Sequence, residues 1–145
     1  MILSGKQVVI TGGNTGLGYQ TARALAGYDA TIILACRNVE AGRKAAATLI
    51  TETGNTRISA SLLDLSKLDT IDRFIERLGE STSCVDVLIN NAGVMAVPYS
   101  IGEFGFEAHM LINCVGHMVL SAKLSPMLLN APAPRIVTLS SVGHH

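Results

Sequence analysis

The sequence predicts an α/β fold in which helices cover both faces of one doubly wound parallel sheet. Three observations carry that prediction. Strand-like and helix-like stretches alternate along all 145 residues, with no repeat, linker or low-complexity tract between them. Strand-like stretches such as Ala30–Ala35 are continuous apolar runs, the pattern of a strand buried on both faces. A glycine-rich turn, Gly12-Gly13-Asn14-Thr15-Gly16-Leu17-Gly18, joins the first strand to the first helix. The expected strand order is 3-2-1-4-5, with the switch point between strands one and four.

Strand one is expected over Gln7–Ile10. The helix after the glycine turn starts near Gly16 and stops at Gly27. Strand two is Ala30–Ala35. Asn38 can cap a helix from Val39 to about Thr51, which ends before Gly54-Asn55. Strand three is Arg57–Leu62. Ser66 is expected to cap helix three, with Asp69 in capping-box spacing. Ile71, Phe74, Ile75 and Leu78 then form one apolar stripe. Strand four is Val85–Ile89, and Pro98 and Gly102 mark a loop around Ala96–Ile101. Helix four is expected from about Phe104 to Leu129, kinked or ended by Pro126. Pro132 and Pro134 fill a turn before strand five, Arg135–Leu139.

Composition excludes several classes. Apolar residues make up 48% and charged residues 15%, which fits a cored domain and not a disordered chain. Eleven basic residues balance 11 acidic ones, and no basic block is present, so nucleic acid is not an expected partner. Cys36, Cys84 and Cys114 are far apart and form no Cys-x-x-Cys pair. Neither a disulfide framework nor a metal site is expected, and a reducing compartment fits. No leader pattern and no apolar run of membrane length is read, so the expectation is a cytoplasmic protein with no membrane partner.

The chemistry gathers at the strand ends. Gly12, Gly16 and Gly18 suit a tight turn, a close backbone approach and close helix packing. A helix beginning near Gly16 presents unpaired N–H groups and a positive dipole end, suited to a pyrophosphate. After strand two comes Cys36-Arg37-Asn38, without the carboxylate that NAD-binding sheets use on the ribose hydroxyls. A guanidinium can chelate a 2′-phosphate, so Arg37 argues for NADP(H), with Asn14 and Thr15 able to add hydrogen bonds. The alternative for Arg37 is a solvated charge at a strand end. Asp64, in Leu63-Asp64-Leu65, can accept from an adenine amino group, form an Asx turn or cap the next helix. A second motif, Asn90-Asn91-Ala92-Gly93, closes strand four. Asn113 is an amide among apolar neighbours, three residues before Gly116, and can satisfy a bend there. His117 reads as structural, and His109 has no assigned role.

The spacing Thr-Gly-x3-Gly-x-Gly, together with Asn90-Asn91-Ala92-Gly93, resembles the short-chain dehydrogenase/reductase family from Lys6 to the last residues. Within that family, Ala35-Cys36-Arg37-Asn38 and Ser140-Ser141-Val142-Gly143-His144-His145 are similar to the retinol-dehydrogenase-like reductases. The match to that pattern argues against reading His144-His145 as a tag. The resemblance implies a Rossmann-type sheet. It also implies NADP(H)-dependent hydride transfer between a small-molecule carbonyl and an alcohol. It puts Gly12, Asn14, Thr15, Gly16, Leu17, Gly18, Arg37, Asp64, Leu65, Asn91, Ala92 and Gly93 at the cofactor. Asp64 would meet the adenine, and Asn91 would tether neighbouring strands. Ser141 would hydrogen-bond the substrate oxygen, and Asn113 would hold a water of a proton relay.

The family's catalytic Tyr-x3-Lys lies on the helix after strand five, and this sequence stops at His145, ahead of that place. Tyr19, Tyr28 and Tyr99 each lack a Lys four residues on. The expectation is the N-terminal cofactor-binding portion of such an enzyme, without its last strands and helices. The alternative is an inactive module that binds nucleotide or a partner. Helix four carries Met110, Leu111, Cys114, Val115, Met118, Val119 and Leu120. In the family it packs beside the helix with the Tyr and Lys, so self-association or pairing through helix four is expected.

Overall fold

Apolar residues that alternate between two sheet faces need cover on both, and the chain supplies it with two helices per face. The computed structural model describes residues 3–141. Its strands are β1 (Gln7–Thr11), β2 (Thr31–Cys36), β3 (Ile58–Leu62), β4 (Val87–Asn90) and β5 (Arg135–Thr138). They form one parallel sheet of order β3-β2-β1-β4-β5, the order expected. The helices are α1 (Gly16–Gly27), α2 (Val39–Thr53), α3 (Leu68–Ser81) and α4 (Gly116–Leu129). Val8, Ile10, Ile32 and Leu34 pack with Ala22 and Ala26 of α1 and Leu49 of α2. Val9, Ile33 and Leu88 pack on the other face with Phe74 of α3 and Leu120 and Leu124 of α4.

Two helix ends follow the sequence closely. The Asn38 side chain accepts from the Ala41 N–H at 3.0 Å, and Gly54 closes α2 in the left-handed conformation (φ 72°). Gly27 does end α1, but the left-handed residue is Asp29 (φ 71°). Its carboxylate receives the Ser4 hydroxyl at 2.9 Å and pairs with Arg57.

Helix three departs from expectation at its start. Ser66 does not cap it. The Ser66 N–H and hydroxyl both donate to Asp64 Oδ1, at 3.0 and 2.6 Å, so the hydroxyl is consumed in a local turn. The helix begins at Leu68, and the Leu68 N–H donates to Glu103 Oε2 at 3.0 Å. The cap therefore comes from 35 residues away.

Helix four does not begin at Phe104. That residue has φ 56° inside a 3-10 turn, Glu103–Gly105, which breaks helical continuity. The Glu107 carboxylate then accepts from the His109 and Met110 N–H groups, at 2.8 and 3.3 Å, and starts the helix. A π-helical segment, Met110–Val115, precedes α4. Pro126 neither ends nor breaks α4, which runs on to Leu129. Proline removes the N–H that would bond the Ala122 carbonyl, and the Ser125 hydroxyl donates to that oxygen instead, at 2.7 Å.

The reading that no apolar run reaches membrane length is also corrected. Met110–Leu129 spans 20 residues and holds an 18-residue window of mean hydropathy 1.2, long and apolar enough by length and composition alone. In the fold its Leu111, Leu120, Leu124 and Leu128 are buried. His144 and His145 lie outside the described residues.

Candidate functional site

The C-terminal ends of β1 to β4 open on a cleft of about 460 Å³. It lies beside the β1/β4 switch point, where parallel sheets of this order receive ligands. The glycine turn lines it with Gly12, Asn14, Thr15 and Leu17. Arg37 and Asn38 come from the end of β2, Asp64 and Leu65 from the segment after β3, and Asn91, Ala92 and Gly93 from the end of β4. Ten of the twelve sequence-predicted cofactor residues thus meet in one cleft, Gly16 and Gly18 being the two that do not line it.

Those two glycines serve the turn in different ways. Gly16 has φ 54°, which an L side chain strains to adopt, and a Cβ there would enter open space. Gly18 is buried beneath the turn, where a Cβ would come within 2.6 Å of the Gly12 carbonyl oxygen. Thr15 is the N-cap of α1 but makes no side-chain cap bond, and the first turn has no acidic residue. The N–H groups that open α1 are therefore not filled by a capping side chain. A phosphate suits that end by charge and hydrogen bonding.

Arg37 is exposed and forms no ion pair among the described residues. Asp64 accepts the Ser66 N–H and hydroxyl at Oδ1, an Asx turn, and the residue lines the cleft. Asn91 ties two strand ends together: its Nδ2 donates to the Thr11 and Gly12 carbonyls at 2.8 and 3.3 Å.

Thr11, to which sequence reasoning gave no role of its own, is central to this end of the sheet. It is fully buried, and its hydroxyl oxygen accepts from the Asn91 and Ala92 N–H groups, both at 2.9 Å. His117 Nε2 lies 2.8 Å from the same oxygen, and His117 Nδ1 lies 3.1 Å from the Asn113 carbonyl. Burial pushes the His117 pKa below its ordinary value. The available signal was a hydroxyl where a buried strand meets a glycine turn, a position whose polar groups need hydrogen-bond partners.

Asn113 and Ser141 do not line the cleft. The Asn113 amide accepts from the Val94 N–H at 2.8 Å and donates to the Val94 carbonyl at 2.9 Å, so it braces the backbone just after Gly93. Gly116, just beyond the π segment, allows close contact: a Cβ there would stand 2.6 Å from the Leu65 carbonyl oxygen. Ser141 is exposed, two residues beyond Leu139, which does line the cleft.

The sequence profile of the short chain dehydrogenase family matches residues 6–145. Human retinol dehydrogenase 12 is 45% identical over 144 residues, covering 99% of this chain and 45% of that protein. The chain thus spans about half the length of the curated relatives it matches. Among solved structures, an uncharacterised Mycobacterium paratuberculosis protein superposes with a TM-score of 0.81 at 41% identity, over 97% of this chain and 48% of that one. The Pseudomonas aeruginosa RhlG/NADP active-site complex superposes with a TM-score of 0.83 at 28% identity, over 97% of this chain and 54% of that one. With its glycine turn, its Asn-Asn-Ala-Gly strand end and its sheet order, the chain belongs to the short chain dehydrogenase family.

Proposed function

We propose that these residues form the cofactor-binding portion of an NADP(H)-dependent oxidoreductase that interconverts a small-molecule carbonyl and an alcohol. One observation carries the choice of cofactor. Arg37 is the charged side chain at the end of β2, it lines the cleft, and no carboxylate of the described residues pairs with it. A guanidinium in that position favours a 2′-phosphate, where an acid would repel it. The likeness to a protein solved with NADP and to retinol dehydrogenases supports the same reading.

On this reading the opening of α1 receives the pyrophosphate, and Asn14 and Thr15 assist Arg37 at the 2′-phosphate. Asp64 Oδ2 accepts from the adenine amino group, while Asn91, Ala92 and Gly93 border the nicotinamide ribose. When bound, the cofactor supplies or takes the hydride. Ser141 hydrogen-bonds the substrate oxygen. Asn113, braced against Val94, keeps one amide hydrogen and one lone pair for a water of a proton relay.

Titration of NADPH and NADH against wild type and Arg37→Ala tests the proposal. Wild type should bind NADPH more tightly, and the substitution should cost NADPH about 1.5–3 kcal/mol while leaving NADH nearly unchanged. Equal affinities in wild type would remove the argument from Arg37.

A further inference from the structure

The Thr11 hydroxyl has one proton and two lone pairs, and four groups surround it. The Asn91 and Ala92 N–H groups can only donate, so both face its lone pairs, the Asn91 N–H also donating to the Ile89 carbonyl at 3.1 Å. The proton must then go to His117 Nε2 at 2.8 Å or to the Ile89 carbonyl at 3.4 Å. The shorter contact requires Nε2 to carry no hydrogen. The other ring nitrogen settles this independently. His117 Nδ1 faces the Asn113 carbonyl at 3.1 Å, and a carbonyl only accepts, so Nδ1 carries the hydrogen. A neutral ring with its hydrogen on Nδ1 satisfies every group at once.

We infer that His117 is a positioning residue for the cleft: by receiving the Thr11 hydroxyl proton it keeps both Thr11 lone pairs aimed at the Asn91 and Ala92 N–H groups. Resting on the family and cofactor reading above, this gives a ring outside the cleft control over the backbone that borders it. His117 and Asn113 are one turn apart on the same helical stretch, and Asn113 braces Val94 from the other side. The segment Asn91–Val94 is thus held at both ends by groups that His117 bonds. Without the ring acceptor, the hydroxyl turns to the Ile89 carbonyl, and the lone pairs turn with it.

The tautomer is measurable in wild type without any variant or ligand. Long-range ¹H–¹⁵N correlation of the full chain at pH 7.5 should show His117 protonated at Nδ1 and bare at Nε2. A ring protonated at Nε2, or a charged ring, overturns the inference. NADPH binding supplies the second readout. His117→Leu should weaken NADPH about tenfold, and Thr11→Ala about as much. The double variant should be no weaker than Thr11→Ala alone, because the ring acts through the hydroxyl. His117→Gln, whose amide oxygen can accept from Thr11, should stay within about threefold of wild type. Additive losses, or a folded His117→Leu that binds as wild type, overturn the inference. If His117→Leu does not fold, the His117→Gln affinity and the wild-type tautomer decide. A wild type that binds no NADPH sinks the cofactor reading instead, and the tautomer with the exchange rates of the Asn91 and Ala92 amides then decides this one.

Discussion

At Gly16 a positive φ and open space above the turn coincide. On the proposed cofactor reading, a side chain there would stand where a pyrophosphate approaches the opening of α1. Gly16→Val should therefore abolish NADPH binding; it also strains the turn, so circular dichroism checks the fold, and a folded variant that binds normally would refute the placement. His117 gives a pH dependence of stability. Burial lowers the pKa of its ring in the fold, and no charged side chain contributes to the shift. The unfolded ring takes a proton near pH 6.5, so the unfolded state binds more protons below that pH. The stabilisation is fully present above pH 6.5 and is lost as pH falls from there toward the lowered folded value. Urea unfolding at pH 7.5 and 5.5 should show a drop that His117→Gln reduces; an equal drop in both proteins would show that another group is responsible.

The helix starts behave differently from the helix bodies. The apolar stripe Ile71, Phe74 and Leu78 was plain in the sequence because burial repeats at a local interval. The start of α3 was not, because Glu103 supplies its acceptor from a distant turn while Ser66 is spent on Asp64. Glu103→Ala should lower stability by about 1 kcal/mol in urea unfolding and speed exchange of the Leu68 amide. Glu103→Gln, which keeps an acceptor, should restore most of both; no change on Glu103→Ala would mean that water caps the helix as well. The π segment was equally hidden, since an apolar run such as Met110-Leu111-Ile112 does not declare how tightly it winds. Most of the cleft was legible because backbone-led features, glycines and strand ends, build it. Thr11 was not, because its role depends on which distant groups its hydroxyl meets.

At the scale of the molecule, the sheet is covered unevenly. β5 is an edge strand exposed along its whole length, with Ile136 51% and Val137 47% exposed. Met118, on α4, is 64% exposed. An open parallel edge with apolar side chains on it invites pairing. The 145 residues alone should therefore self-associate or pair with a complementary chain at micromolar concentration. Size-exclusion chromatography with light scattering reads this directly. A monodisperse monomer with a cooperative thermal transition would mean that the β5 edge and the α4 face are tolerated in water.

The π segment sets the angular phase of everything after it. Each α-helical residue advances about 100°, so Leu111 and Leu120 would sit roughly half a turn out of step on a regular helix. Both are nonetheless buried. They are buried against different partners: Leu111 Cδ2 would lie 2.5 Å from a Cβ on Gly102, and Leu120 packs on the sheet, while the wider turn over Met110–Val115 takes up only part of that offset. The rod shows Asn113 to Val94 and His117 to Thr11 on the same side as Leu120, Leu124 and Leu128, which stay against the sheet. Deleting one residue in this stretch would rewind it to the ordinary pitch. Either Leu111 at Gly102 or the two polar side chains would then turn from their partners, so a change in length here is felt on both sides of the segment.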